Sequence, residues 1–466
     1  MVVSSTQKHQ LASWKRYLGI SIALFGWLLH AALAIHPRQE PYAGIDFRAI
    51  YGSGRCIVAG CDPFSASETM AEFLKQGGTL QEAIPSSEGP FAPNIAGYPP
   101  TFLVYLTPIS VLRWPLALYA WLAFSILIYG CAVVLIADLC ADYSPLSANL
   151  CIAFFLAPNG PIALMVANPS VPAIGLCCVG LWCILKRRYE LAGVLLFSLS
   201  LVIKPHIGYA LVLYLLLIKA YRTRALQIIG TTIGMCIPPL LWVSTQPNMK
   251  NWYREYAMNL NAISMPGRLS NPGPTNHDAT NIADLQAVIS VFRDDRAFYN
   301  HVAWAISLVL LVVWVTLVRR LQDGRAKDLI CIASVCAFSL LPFYHRSGDT
   351  LLLLLTFPAL AFLISQSKIG RTSILMTLSI SLAVTYTHLL GHRYLIHIPK
   401  FLFGSIWNGH LYTVLIERQV SLACLLACLF YLGMMYKLLH GDFTSPQQQR
   451  ATDNGAPQHI LEHDWI

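Results

Sequence analysis

Apolar runs of roughly 15–22 residues recur along the whole chain, each long enough to cross most or all of a bilayer as a helix. In lipid, backbone polar groups must be satisfied internally, which helices of this length achieve. Charge is too sparse to solvate the chain: 12% of its 466 residues are charged and 56% are hydrophobic. Mean hydropathy, +0.54, agrees. The sequence therefore predicts an all-α polytopic membrane protein.

Basic clusters set the orientation. Lys186-Arg187-Arg188, the stretch from Lys219 to Arg224, Arg319-Arg320 with Arg325 and Lys327, and Lys368 with Arg371 read as cytoplasmic, as does the N-terminus. Spans consistent with this lie near 18–36, 115–138, 147–166, 170–185, 191–203, 205–218, 225–244, 302–318, 329–343, 350–366, 372–390 and 420–436. That gives about twelve crossings with both ends inside. Segment 100–112 must then be re-entrant or part of a broken helix, because a full crossing would reverse the parity downstream; segment 400–417 reads as interfacial. Ala32-Leu33-Ala34 would suit signal peptidase, but the run from Leu18 to Ile35 is near bilayer length and opens a series of similar spans, which predicts a retained anchor. The expected organisation is one multi-span domain over 1–440, with extracytoplasmic loops at about 37–98 and 245–300, and a disordered cytoplasmic tail over 441–466.

Several function classes drop out. The net charge of +9 is spread over short inter-span clusters, with no continuous basic patch for nucleic acid. The chain has no Walker A loop, dinucleotide fingerprint or CxxC pair. Most of the 13 cysteines lie in apolar runs, where they act as small buried hydrophobes. Cys56 and Cys61 lie in the first loop, but a separation of five on a helix is poor geometry for a disulfide, so free thiols are favoured there.

In this topology the unusual polar groups all face outward. Asp46, in Gly44-Ile45-Asp46-Phe47-Arg48, follows the first span beside Arg48 and Tyr51. A carboxylate at the outer membrane face suits a general base toward a hydroxyl, and the competing reading is a helix cap. Asp62-Pro63 looks more like a turn or cap, and Tyr98-Pro99-Pro100 like a rigid lead into an apolar segment. Lys204 interrupts an apolar run and is followed by Pro205 and His206. An ammonium at the lip of a cavity suits a phosphate, whereas a snorkelling lysine is the plain alternative. In Tyr344-His345-Arg346-Ser347-Gly348-Asp349, Arg346 can bind phosphate in bidentate fashion, His345 can give a hydrogen bond or a proton, and Asp349 can orient either one. The same stretch also reads as a polar turn. Asn168-Pro169 is either a cap or a sugar contact, and loop 245–300, with Asn-Pro-Gly-Pro at 271–274, is long enough for a lid.

Taken in order, Asp46-Phe47 with Tyr51, Gly60-Cys61-Asp62-Pro63-Phe64, Tyr98-Pro99-Pro100, Asn168 and Lys204-Pro205 resemble glycosyltransferase family 87, the polyprenyl-phosphate-mannose-dependent mannosyltransferases of the GT-C class. The resemblance runs over residues 18–440 and is sharpest from Asp-Phe to Tyr-Pro-Pro. It implies a GT-C-type transmembrane helix bundle in the cell's inner membrane. Such an enzyme moves a hexose from a polyprenyl-phosphate donor to a hydroxyl acceptor, a glycolipid or glycan, on the extracytoplasmic face. Transfer inverts the anomeric centre and needs no metal. Asp46 falls on the family's proposed base, Lys204 on its lysine near the outer end of a middle span and His345 on a late outer-loop histidine; by their own chemistry His206 and Arg346 are placed with them toward the donor phosphate. Where the family often carries Gly-Gln before the asparagine, this chain has Val166-Ala167. A secondary transporter also fits about twelve spans with both ends inside. Against it stand the one-sided polar groups, the lack of an internal repeat and the long acidic first loop. A non-catalytic subunit would leave Asp46 and Lys204 without roles.

Overall fold

The computed structural model describes residues 5–35, 43–83, 97–268, 270–366, 369–389 and 409–441. A long first helix, α1 (Ser5–Ile35), leads to α2 (Ile45–Ala59), α3 (Ala66–Lys75) and α4 (Leu80–Ala83). The chain continues through α5 (Pro100–Ser110), α6 (Leu116–Cys140), α7 (Pro145–Asn159), α8 (Pro161–Met165), α9 (Ser170–Leu185), α10 (Glu190–Ile203), α11 (Pro205–Leu217) and α12 (Arg222–Thr245). Then come α13 (Trp252–Ile263), α14 (Leu285–Ile289), α15 (Arg296–Arg320), α16 (Arg325–Ser339), a 3-10 segment at Ser347–Thr356 that runs into α17 (Phe357–Ser365), α18 (Gly370–Leu389), α19 (Gly409–Tyr412) and α20 (Gln419–Leu439).

Proline punctuates this path. It stands in the first turn of α5, α7, α8, α11 and α17, where its missing N–H costs nothing. Pro161 follows the break between α7 and α8 at Gly160, and Pro205 forces Lys204 out of the helical region, to φ −148° and ψ 86°. The apolar runs are therefore divided. Among the described residues six helical segments are long and apolar enough to cross a membrane: 13–34, 116–140, 222–245, 296–320, 347–365 and 419–439. Shorter apolar helices occupy 145–159, 170–185, 190–203 and 205–217. The chain is thus a multi-pass helical membrane protein, but these lengths do not carry a count of twelve full crossings. Residues 400–408 of the expected interfacial segment, and the expected disordered tail beyond Gly441, lie outside the described residues.

The first loop is more structured than its polar composition suggests. α2 and α3 send Phe47, Ile50, Tyr51 and Phe73 into a buried cluster with Phe102, Trp114 and Trp121. Phe47 stacks on Trp121 at 5.2 Å between ring centres, which fixes the start of α2 against α6. α5 is only 11 residues long, about 16 Å at 1.5 Å per residue, too short for a full crossing.

Cys56 and Cys61 form a disulfide, which corrects the expectation of free thiols. α2 ends at Gly60 in the left-handed region, φ 76°, and the reversal brings the two Cα atoms to 4.6 Å, a separation that a continuing helix would not give. Closing so short a loop is worth about 2 kcal/mol in the chain-entropy picture. Cys56→Ser is expected to lower thermal stability by that order. Alkylation of unreduced membranes is expected to leave both residues unlabelled; labelling would place the loop in a reducing compartment.

The helices give the molecule two unlike ends. At one end Arg16, Asp138, Asp142, Lys186 and Arg325 pair with one another, with Lys186 Nζ 3.2 Å from Asp138 and 3.6 Å from Asp142. α9 runs from Ser170 to this end, α10 returns to Lys204, and α11 departs again. Ser170, Lys204 and the residues after α16 consequently meet at the opposite end.

Candidate active site

Two arms of polar side chains form the site. The first belongs to Asp46 and Asn168. Backbone bonds pin the start of α2 to the turn after α8: the Gly44 N–H donates to Met165 O at 2.8 Å, and the Asp46 N–H donates to Val166 O at 3.0 Å. Ala167 takes a positive φ of 55°, uncommon for a residue with a Cβ, and its carbonyl accepts the Trp121 indole N–H at 3.0 Å. That strained step is held from both sides and aims Asn168, whose Nδ2 donates to Asp46 Oδ2 at 2.6 Å. The Asp46 carboxylate therefore bonds across the site rather than capping its own helix. Burial pushes its carboxyl above the ordinary 3.8, against the pull of Arg346, the Asn168 amide and Lys204.

The second arm is built around Asp349, which is 1% exposed. Lys204 Nζ donates to Asp349 Oδ1 at 2.6 Å, while Asp349 Oδ2 lies 3.2 Å from His345 Nδ1 and accepts the Arg346 N–H at 3.1 Å. The rings of His206 and His345 meet edge to face, 4.8 Å apart, and neither Nε2 has a hydrogen-bond partner among the described residues. Arg346 extends toward Asp278, at 4.0 Å. Burial opposes its charge, but Tyr344, Asp46, Asp278 and Asp349 outweigh that and hold the guanidinium above its usual value. Tyr98 lies nearby: burial, followed by the charges of Asp46 and Asp349, pushes its phenol well above 10.0.

Ser170 joins the arms. Its backbone N–H and its hydroxyl both point at Asn168 Oδ1, at 2.8 and 2.5 Å, and the hydroxyl also contacts Asp349 Oδ1 and accepts from Lys204 Nζ at 2.6 Å. The sequence offers only a faint signal for it, a hydroxyl residue at the start of an apolar run just after Asn-Pro.

The structure thus brings together Asp46, Asn168, Lys204, His206, His345, Arg346, Asp349 and Tyr98. Tyr51 stands apart: its hydroxyl donates to Leu112 O at 2.7 Å within the aromatic cluster. Arg48 is buried, which lowers its guanidinium against the charges of Glu82 and Asp46. Asp62 makes a turn, accepting the Phe64 N–H at 2.9 Å. In loop 245–300, α13 lies against the first loop, with Asn259 Nδ2 donating to Phe64 O at 3.0 Å.

Asp284 escaped the sequence reading. It caps α14 by accepting the Ala287 N–H at 2.9 Å and also takes a backbone N–H from His345, so it braces the loop that carries His345 and Arg346. Burial pushes its carboxyl up to about 7. A raised value means that its contribution to stability is complete below the unfolded value and is lost as pH rises through about 7. Thermal stability is therefore expected to fall between pH 5 and pH 8 by about 2–3 kcal/mol, and Asp284→Asn, still able to cap, is expected to flatten that dependence.

One group among the described residues has the donors of a metal site: His206, His345 and Asp349, with ligand atoms within 4.8 Å of one another. Its carboxylate is already engaged by Lys204, Ser170, His345 and the Arg346 N–H. An ammonium at 2.6 Å repels a cation there and attracts an anion. α2, α9 and α11 also begin at the site, and helix N-termini favour anions.

These features define a multi-pass membrane protein with a polar, anion-favouring site at one end of its helix bundle. Residues 97–343, more than half of the chain, match the family model of glycosyltransferase family 87, and the protein belongs to that family. It is a membrane glycosyltransferase. No curated protein and no solved structure matches it. The matched stretch includes Tyr98, Asn168, Ser170, Lys204 and His206, whereas Asp46 precedes it and His345, Arg346 and Asp349 follow it.

Proposed function

We propose that this glycosyltransferase moves a hexose, mannose by its resemblance, from a polyprenyl phosphate to a hydroxyl acceptor. The reaction takes place on the extracytoplasmic face of the inner membrane, with inversion. The observation that carries the reading is one cluster in which a half-buried carboxylate, Asp46, lies within reach of the charges of Lys204 and Arg346. The acceptor oxygen attacks the anomeric carbon as its proton passes to Asp46. The bond from that carbon to the phosphate oxygen breaks on the opposite face, and its electron pair leaves with the phosphate. Lys204 and Arg346 stabilise the charge gathering there, which is the task a metal would otherwise perform. His345 gives its Nδ1 side to Asp349; protonated, it presents an Nε2–H to a phosphate oxygen, with His206 beside it. A phosphate leaving group needs little general acid, so one carboxylate suffices.

Sidedness is supported by the basic clusters at the other end of the helices and by the disulfide on the site's side. A GT-C-type bundle is the architecture this reading implies, with the polyprenyl chain lying between helices in lipid. The transporter alternative places its polar groups near the bilayer midplane; here they gather at helix ends. Native mass spectrometry of the purified protein with polyprenyl-phosphate-mannose tests the donor assignment. The expected result is one saturable bound molecule, displaced by polyprenyl phosphate but not by a nucleotide sugar. Preference for the nucleotide sugar would overturn the assignment.

A further inference from the structure

The transferase reading gives the two arms separate tasks and leaves the hydroxyl between them unassigned. Ser170 is fully buried, and its hydroxyl touches Asn168 Oδ1, Asp349 Oδ1 and Lys204 Nζ. Lys204 can only donate, so the hydroxyl accepts from it and has one proton left for two acceptors. When that proton goes to Asn168, the amide is held hard against Asp46; when it goes to Asp349, a lone pair faces Asn168 Oδ1 at 2.5 Å. The Ser170 backbone N–H, 2.8 Å from the same oxygen, fixes the amide's orientation in both cases, so only the strength of its hold on Asp46 changes.

We propose that Ser170 is a positioning residue that couples the donor-phosphate arm, Lys204 and Asp349, to the base arm, Asn168 and Asp46. The inference rests on the transferase reading and deepens it. A donor phosphate that draws on Lys204 leaves Asp349 less neutralised, and Asp349 then competes better for the Ser170 proton. Asn168 loosens, the Asp46 carboxylate loses hydrogen-bond support, and the base strengthens when the donor is in place. Without donor, the same carboxylate stays hydrogen-bonded and quiet.

The test compares Ser170→Ala, Ser170→Cys and Ser170→Thr, each with its thermal midpoint measured. Cysteine is close in size to serine but a weak donor, and threonine keeps the hydroxyl. With polyprenyl-phosphate-mannose and a membrane lipid extract, the acid limb of kcat/KM is expected to move up by about half a pH unit in Ala and Cys, because the free enzyme's Asp46 loses support for its charged form. Threonine is expected to restore the wild-type limb. A fall in activity that tracks the folded fraction, with the limb unmoved, would overturn the coupling. A second readout needs no turnover: carbodiimide labels protonated carboxyls, and the pH midpoint of labelling at Asp46 is expected to rise in Ser170→Ala. If wild type transfers nothing, the transferase reading fails by itself and the labelling still decides whether Ser170 supports Asp46; an unshifted midpoint overturns the inference.

Discussion

Asp46→Asn is expected to lower transfer by roughly 10²–10⁴-fold, the range for losing a positioned general base. The substitution keeps size and polarity, and donor binding is expected to change little because Lys204 and Arg346 remain. The residual fall should therefore appear in kcat with the donor KM nearly unchanged. On the proposed mechanism, wild-type activity requires the ionised carboxylate. Burial raises its value above 3.8, so activity is expected to fade on acidification at a higher pH than for an exposed aspartate. Asn168 tempers this shift through its 2.6 Å bond to the carboxylate. A variant that kept wild-type kcat would remove Asp46 from the chemistry.

Lys204 calls for a different design. It forms a buried pair with Asp349, and removing one partner leaves an uncompensated charge that costs about 3–5 kcal/mol. Lys204→Ala alone would mix misfolding with lost function. The double variant Lys204→Met/Asp349→Asn removes both charges, and its thermal midpoint is expected to stay near wild type, since a buried ion pair replaced by neutral groups is often close to neutral in stability. Its donor affinity is nonetheless expected to drop about 100-fold, the order for losing a charge-assisted phosphate contact. Unchanged donor affinity in a folded double variant would reduce Lys204 to a structural lysine.

Much of this site was visible in the sequence because ionisable residues stand out beside apolar runs. Asp46, Lys204, His345, Arg346 and Asp349 each break such a run or border one, and the parity of the basic clusters sends them to one side. What distance in sequence conceals is pairing. Nothing in the chain says that Asp349 meets Lys204, or that Asn168 meets Asp46 across 122 residues. Ser170 carries no charge and reads as part of the helix start. Asp284 hides in a loop whose polar residues all look solvated, although it is 2% exposed. The helices of the first loop were obscured by the polar residues around Phe47, Ile50 and Tyr51, and Gly60 was the missed cue for the Cys56–Cys61 bond. The crossing count is not fixed by the sequence for a physical reason as well: prolines divide apolar runs, and hydropathy alone does not separate a full span from a half one.

The most direct test incubates the purified protein in detergent with radiolabelled polyprenyl-phosphate-mannose and a membrane lipid extract, beside Asp46→Asn. Label entering a new product with wild type, and not with the variant, is the expected result. Equal product from both would contradict the base. Saturable consumption of a nucleotide sugar in place of the lipid-linked donor would contradict the account at its root.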